Sequence, residues 1–284
     1  MARRSLPSVW CNRICVAASV WLAATSTGSP PPSAENQPEA APPPPTPMAP
    51  AQLDNLVARI ALYPDPLLAQ ILTASTYSDE IPEASAWANE HSALKGDALA
   101  AAIREDNLQW DASVMALLPF PSVLSIMAQD TPWTQQLGDA VLAQRNDVMD
   151  AVQRMRRKSY QYGYLKSSPY DNVVDDNGDL EILPVNPAYV YVPAYSPMVV
   201  FGAPAPGFFI GGAIHFGPAI VLGAAFAPWG WVHPYFNWHT HGIFFDATPW
   251  GRTWGNRGFY VHPYAHPYVR RPGPRIEHHE VRRR

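Results

Sequence analysis

Apolar residues recur at helical spacing through the first half of this 284-residue chain. Between Ala51 and Leu62, five apolar side chains fall on one helical face. A longer stripe runs from Trp133 to Met155 in steps of 4, 4, 7, 4 and 3 residues. Basic residues occupy its last turns, where they complement the helix dipole, and Gly163 is a typical stop. Because short turns with proline and aspartate separate these stretches, residues 51–165 are predicted to form a compact orthogonal helical bundle.

Single tryptophans in three of these predicted helices are interpreted as core anchors: Trp87, Trp110 and Trp133. Asp79 and Glu80 stand in the predicted first turn of one helix, where the dipole favours negative charge. Asp111 precedes a short helix in the position of an N-cap, whose side chain accepts a hydrogen bond from the helix backbone. These polar residues are therefore predicted to have structural roles.

Beyond Gly163 the hydrophobic period changes from 3.6 to 2, which predicts strands. Residues 172–175 and 180–183 flank Asn177-Gly178, a pair that favours the tight turn of a β-hairpin. Residues 188–192 form a third candidate strand. Flanking prolines favour edge strands or extended arms, so residues 170–202 are predicted to be a β-hairpin followed by an extended Pro/Tyr/Val segment.

The N-terminus has the features of a signal peptide, predicted for residues 1–28. Basic residues precede an apolar run of 11 residues, Ile14–Ala24, and small residues follow it. Both cysteines of the chain, Cys11 and Cys15, lie in this segment. The mature protein would contain none, which excludes disulfides, cysteine nucleophiles and thiolate metal sites.

Residues 29–50 are rich in proline and cannot bury a core, so they are predicted to be a disordered linker. Such a segment favours extended polyproline II. A tether between the export signal and the folded domain is one interpretation, and a docking site for proline-binding modules is the other.

No charged residue occurs among the 64 positions between Glu181 and Asp246. The Gly/aromatic segment 203–245 lies within this stretch, and its residues 208–226 are mostly apolar. Three interpretations stay open for residues 208–226: a membrane span, a glycine-lined hairpin that packs on itself or on the envelope surface, and a low-complexity region without fixed structure. His215 and Pro218 at its centre disfavour a membrane span.

The last segment, residues 246–284, is rich in His, Arg and Pro and is predicted to be a basic tail without fixed structure. Residues 51–181 carry 9 basic and 19 acidic residues, whereas residues 182–284 carry 8 and 3. The tail is therefore expected to contact anionic lipid, lipopolysaccharide or polysaccharide, or to fold back on the acidic helices. Nucleic acid is not an expected partner, because it conflicts with export.

Eight of the nine histidines lie after residue 200, and two pairs have spacings that could serve one metal ion. These pairs are His239 with His241 and His262 with His266. Repeated His-Pro dipeptides favour low complexity over a rigid metal site, so no metal ligands and no cofactor are assigned. The remaining histidines of this region are His215, His233, His278 and His279.

The sequence contains no nucleotide-binding loop, nucleophile elbow or zinc-protease motif. Five aspartates could supply paired carboxylates for glycoside cleavage: Asp65, Asp111, Asp139, Asp147 and Asp150. Asp111 is better explained as a helix cap, and Asp147 with Asp150 as a solvated helix face. No catalytic residues are therefore assigned, and catalysis is not expected.

Four long blocks span about 150 residues: LDNLVARIALYPDPLLAQILTASTY, WDASVMALLPFPSVLSIM, WTQQLGDAVLAQRNDVMDAVQRMR and PAYVYVPAYSPMVVFG. They closely resemble the bacterial domain-of-unknown-function 3300 family. The resemblance implies an exported envelope protein of Gram-negative bacteria. It implies no activity and supplies no catalytic residues.

The sequence thus predicts a mainly α-helical, non-catalytic protein of the periplasm or outer cell envelope that associates with the membrane. Its helical domain is expected to bind an unidentified envelope protein or a glycan, and its tail to contact membrane or surface polymer. Two alternatives stay open: a periplasmic metal-responsive protein that uses the tail histidines, and a cell-wall hydrolase.

Overall fold

The computed structural model describes residues 43–204 and 212–264, which belong to one compact unit. The protein is mainly α-helical. Helices occupy most of the chain between residues 50 and 161, in the following order: α1 Pro50–Val57, α2 Asp65–Ser75, α3 Ile81–Glu90, α4 Gly96–Glu105, α5 Ala112–Met115, α6 Pro121–Gln129 and α7 Thr131–Gln161.

Helix α7 begins and ends at sequence signals. Its N-cap is Asp130, whose Oδ1 accepts a hydrogen bond from the Trp133 N–H at 3.1 Å. Gly163 follows its C-terminus with φ of 79°, a conformation that glycine adopts without strain. The helix is kinked at Gln144, where φ and ψ are −145° and 49°. The seven-residue step in the apolar stripe spans this kink.

Helices α2 and α7 cross at a close contact that requires glycine. A Cβ atom at Gly138 would collide with the backbone carbonyl of Ser75 at the end of α2. The absence of a side chain at Gly138 therefore lets the two backbones approach directly, and α2 is buried on almost every side.

The predicted hairpin follows α7 and is confirmed. Strand β1 (Asp171–Asp176) pairs antiparallel with β2 (Asp179–Pro184) in continuous register. Asn177 and Gly178 form the turn, both with positive φ, as the Asn-Gly dipeptide predicts.

The next strands are short and pair across a long stretch of sequence. Strand β3 (Tyr189–Val190) pairs with β6 (Ile220–Val221), and β4 (Pro193–Tyr195) pairs with β5 (Ile214–Phe216). The single strand expected at residues 188–192 is thus wrong in extent, because Pro193 begins a separate strand. A short helix, α8 (Pro197–Val200), follows β4.

The described part of segment 208–226 forms β5, β6 and a 3-10 helix at Ala224–Trp229. Glycine and proline interrupt it, so the described residues contain no continuous helix there. None of the helices that the structure describes combines the length and apolar character needed to cross a membrane. Residues 208–211 of the segment lie outside the described ranges.

A three-stranded antiparallel sheet completes the fold, with β8 at its centre. Its strands are β7 (Pro234–Asn237), β8 (Gly242–Phe245) and β9 (Thr248–Pro249). Aromatic side chains of the 3-10 helix, the sheet and the residues next to the sheet are buried in the same hydrophobic core as the helices: Phe226, Trp229, Phe236, Trp238, Phe245 and Trp250. The two halves of the described chain therefore share one interior.

The expectation that residues 246–284 lack fixed structure is wrong for residues 246–264. Trp250 is only 2% exposed, and both Arg252 and His262 are buried. These side chains are ordered by partners on the helices, which local composition does not reveal. Residues 265–284, including His266, His278 and His279, lie outside the described residues.

A buried ion pair between two helices also contacts the second half of the described chain. Arg156 on α7 and Asp65 at the start of α2 are 2.7 Å apart, and both are almost fully buried. The Arg156 guanidinium also donates to the carbonyls of Ala61, Tyr63 and Leu180. Burial raises the pKa of Asp65, while the charge of Arg156 and the hydrogen bond from the Trp238 indole act in the opposite direction.

Candidate functional site

Residues 246–264 form what we call the C-terminal strap, which lies across the helices. The Arg252 guanidinium donates to the carbonyl and hydroxyl of Thr76 at 2.6 and 2.7 Å. It also lies 3.5 Å from the centroid of the Tyr77 ring, a cation–π contact. On α7, Arg145 donates to the carbonyls of Trp250 and Arg252. The strap is thus fixed to the C-terminal end of α2 and to the middle of α7.

The strap and the helices enclose a cavity of about 460 Å³, which we call the strap pocket. Its volume is in the range of small-molecule sites. The helical side supplies carboxyl groups, and the strap and the 3-10 helix supply mainly aromatic and basic side chains. Among the lining residues are Tyr77, Glu80, Arg104, Asp111, Trp229, Arg257, Phe259, Tyr260 and His262.

Asp111 has two roles. As predicted, it is the N-cap of α5, with Oδ1 accepting hydrogen bonds from the Ser113 N–H at 2.9 Å and from the Ser113 hydroxyl at 2.6 Å. The same oxygen lies 2.9 Å from Nε2 of His262 on the strap. The Asp111 side chain is 11% exposed, whereas that of His262 is fully buried. The cap of one helix is therefore also an anchor for the strap.

The pKa of Asp111 is below its ordinary value. Burial alone would raise it, but the interaction with His262 and the hydrogen bonds from Ser113 prevail. Asp111 is consequently ionised at neutral pH, although it is largely buried. A charged carboxylate thus contributes to the wall of the strap pocket.

His262 is enclosed by aromatic rings. Ring centroids of Tyr264, Tyr260 and Tyr77 lie 4.7, 5.5 and 6.1 Å from its own. Among the described residues, its Nδ1 has no hydrogen-bond partner, and the contact of its Nε2 with Asp111 is an ion pair without hydrogen-bond geometry. Such an unpaired buried nitrogen is uncommon, because its desolvation is not compensated.

Glu80 is the second carboxyl group of the pocket. Its Oε2 accepts a hydrogen bond from the backbone N–H of Asp111 at 2.6 Å. Burial raises the pKa of Glu80 to about 8, and the charges of Asp111 and Asp79 act in the same direction. At neutral pH this carboxyl group is therefore mostly protonated, while Asp111 beside it is ionised.

The other candidate carboxylates lie outside this pocket. Asp65 is paired with Arg156 in the interior. On α7, burial raises the pKa of half-buried Asp139, and Asp147 and Asp150 are exposed, as their interpretation as a solvated face requires. Asp150 lies 2.9 Å from His241 Nε2. Of the five aspartates, the pocket contains Asp111 alone.

The two candidate histidine pairs do not form a described metal centre. His241 contacts Asp150, and His262 contacts Asp111. Within residues 43–204 and 212–264, no group of three or more His, Cys, Asp or Glu side chains is arranged to hold a metal ion. The partner of His262 in its candidate pair, His266, lies outside these ranges.

Sequence reasoning missed Glu80, His262 and Arg252 as members of one site. Glu80 was explained as a first-turn residue of a helix, but α3 begins at Ile81 and the Glu80 side chain turns towards Asp111. One sequence feature did indicate a contact between these residues. The acidic helices and the basic C-terminal segment carry opposite net charges, which favours folding of that segment onto the helices.

Comparison with known proteins gives a family and no activity. A family described as "Protein of unknown function (DUF3300)" matches residues 49–252. The "Uncharacterized protein YacH" of Escherichia coli (strain K12) is 38% identical over 184 residues, which cover 54% of this chain and 30% of YacH. The chain thus spans less than a third of that relative's length. No solved structure matches the chain.

Proposed function

Because this chain belongs to the DUF3300 family of proteins of unknown function, we propose a role from its own geometry. It is an exported protein of the cell envelope whose strap pocket binds a glycan. The observation that carries the proposal is the pocket itself, where the exposed ring of Phe259 stands beside carboxyl and guanidinium groups.

Export is supported by the sequence of residues 1–28, with basic residues, a short apolar run and small residues in the order of a signal peptide. The same segment contains both cysteines. A mature chain without thiols suits an oxidising compartment, because it cannot form incorrect disulfides there.

The aromatic side chains of the pocket favour a sugar ligand. Phe259 lines the pocket and is 76% exposed, so its ring is accessible to a ligand. Trp229 lines the same cavity, with the Arg104 guanidinium 5.7 Å from its ring centroid. Since the C–H faces of a sugar ring are apolar, they pack on aromatic rings while the hydroxyls bind charged groups at the edge.

The charged side chains favour a glycan that carries carboxylates or amides. Arg104 and Arg257 line the pocket as guanidinium groups, whose planar donors match a carboxylate. The protonated Glu80 and the ionised Asp111, which line the same cavity, supply a donor and an acceptor. Envelope polymers of acidic amino sugars offer both partners.

Binding is tested by titrating the purified mature chain with soluble peptidoglycan fragments in a calorimeter. Replacing Phe259 by Ala is expected to weaken binding about 2- to 13-fold, since an aromatic contact contributes about 0.5–1.5 kcal/mol. Tyr160→Ala is the matched control, because Tyr160 is an exposed aromatic residue of α7 outside the pocket. Equal affinities of the two variants would refute the assignment of the pocket.

The basic residues after the strap provide a second contact. Residues 265–284 contain six arginines and two glutamates, and we propose that they bind anionic lipid or lipopolysaccharide. A chain that ends at Tyr264 keeps the strap and is expected to lose most of its sedimentation with lipopolysaccharide-containing vesicles at low salt. Sedimentation as strong as that of the full chain would exclude this role.

A further inference from the structure

We propose that the strap pocket is a hydrolytic centre, in which the Glu80 carboxyl group protonates a glycosidic oxygen and the Asp111 carboxylate deprotonates the attacking water. The inference rests on the glycan binding proposed above, and it departs from the expectation of a non-catalytic protein. It begins from two carboxyl groups that line one cavity and are linked through a single backbone hydrogen bond.

That hydrogen bond limits the separation of the two groups. Oε2 of Glu80 lies 2.6 Å from the backbone nitrogen of Asp111, and this nitrogen belongs to the residue that carries the second carboxylate. With ordinary bond lengths, the two carboxyl carbons are at most about 8 Å apart. Glycoside hydrolases that invert hold their acid and base about 6.5–9.5 Å apart, and this upper limit allows the lower part of that range.

The environment gives the two groups opposite protonation states at neutral pH. Burial raises the pKa of Glu80 to about 8, with Asp79 and Asp111 adding to the increase and Arg252 opposing it. The pKa of Asp111 is lowered by His262 and Ser113 against the effect of burial. A proton donor beside a proton acceptor is the division of roles that acid–base catalysis requires.

His262 is a positioning residue in this scheme. Its Nε2 and both donors of Ser113 meet Oδ1 of Asp111, which fixes the orientation of the carboxylate. The surrounding tyrosine rings hold the imidazole in place. Because the strap supplies His262 and the helices supply Asp111, the centre is complete only when the strap is in place.

The reaction is balanced without a further reagent. The bond between the anomeric carbon and the glycosidic oxygen breaks, and its electron pair stays on the oxygen, which takes the proton of Glu80. The water oxygen bonds to the anomeric carbon and gives its proton to Asp111. Proton exchange with solvent then restores both groups.

Hydrolysis is tested with the full mature chain on soluble peptidoglycan glycan strands, with release of reducing ends as the signal. Glu80→Gln keeps the acceptor for the Asp111 N–H, and Asp111→Asn keeps an acceptor for Ser113. Each variant is expected to lose about 10²- to 10⁴-fold in turnover, the usual contribution of general acid–base catalysis. Calorimetric binding and circular dichroism are measured on the same samples, and Tyr160→Ala is expected to match the wild type.

An aryl N-acetylglucosaminide separates the two roles, because its phenolate leaves without a proton. Glu80→Gln is expected to lose less than about 10-fold on this substrate, and Asp111→Asn to lose as much as on the glycan strands. His262→Gln is expected to lower turnover and to move the acidic limb of the pH profile upward, since the pKa of Asp111 would rise. An unmoved acidic limb would remove His262 from the scheme.

The outcomes separate the inference from the proposed function. Wild-type protein that binds the glycan strands but releases no more reducing ends than Glu80→Gln overturns the inference and leaves glycan binding intact. Protein that neither binds nor cleaves them overturns both. Turnover that depends on both carboxyl groups, with binding retained in the variants, supports both.

Discussion

The helices at residues 50–161 and the strands at residues 171–264 are ordered in different ways. The helices bury regular aliphatic stripes, and all of them except α4 have a capping side chain or a proline at their start. Strands β3 to β9 contain only two to four residues each, and their aromatic side chains pack on the helices. The spacing of apolar residues along the chain thus accounts for the helices, whereas the strands are stabilised mainly by contacts between residues that are far apart in sequence.

Polar anchors show the difference clearly. Arg156, Arg252 and His262 are all buried, and each binds a group from the other region or from a distant part of the chain. Buried charges are costly without partners, so each anchor stabilises the fold only while the two regions are joined. The C-terminal region is therefore part of the same domain as the helices.

The largest expected effect comes from breaking the buried ion pair of the helices, whose two members also bind Leu180 and Trp238 of the other region. Arg156→Met leaves Asp65 buried without its partner, which should lower the free energy of unfolding by about 3–5 kcal/mol. Chemical unfolding followed by circular dichroism measures the change. Arg157→Ala is the control, because its side chain is 43% exposed and should cost less than about 1 kcal/mol. Equal effects of the two variants would contradict a shared interior.

A smaller effect is expected from overpacking within the helical region. Gly138→Ala places a methyl group against the Ser75 carbonyl, so α2 and α7 must move apart at a cost of about 1–3 kcal/mol. Gly258→Ala in the strap meets no atom within 4 Å and should be nearly neutral. A neutral Gly138→Ala would show that the crossing of α2 and α7 is not close-packed.

The pH dependence of stability should reveal Glu80. Its pKa is about 8 in the folded protein against 4.5 ordinarily, so the folded state binds the proton more tightly between these values. Stability therefore falls as pH rises from about 5 to 8, by at most about 1.4 kcal/mol per unit. Glu80→Gln should flatten this part of the profile and be more stable at pH 8. Parallel profiles for the two proteins would contradict the raised pKa.

The smallest effect is expected at an exposed contact between the regions. His241 lies 2.9 Å from Asp150, but the aspartate side chain is 54% exposed. His241→Ala should therefore change the free energy of unfolding by less than about 0.5 kcal/mol. A loss above about 2 kcal/mol would show that surface contacts also hold the two regions together.

The helices and the hairpin could be predicted because their signals are local. The stripe from Trp133 to Met155, the cap at Asp111 and the turn at Asn177-Gly178 each require only neighbouring residues. The kink at Gln144 was not predicted. It was visible only as the longer step between Val141 and Val148, which a continuous helix also permits.

The strap and its pocket could not be predicted, because their partners are far apart in sequence. His262 and Asp111 are separated by about 150 residues, and nothing near either residue indicates the other. The composition of residues 246–264, with proline, glycine and aromatic residues, is typical of segments without fixed structure. The cap role of Asp111 was correct, but it concealed the second role of the same carboxylate.

The contact between Asp111 and His262 also has a consequence for the order of folding. The chain emerges with its N-terminus first, from the ribosome or across a membrane, so the helices can begin to pack before the strap is available. The pocket, however, closes only after residue 262 has emerged, and loop closure over such a separation is slow. Until then, the partly folded chain would expose the surface of α2, α5 and α7 that the strap covers in the folded protein. Aggregation or binding to a chaperone competes most strongly with folding at this stage.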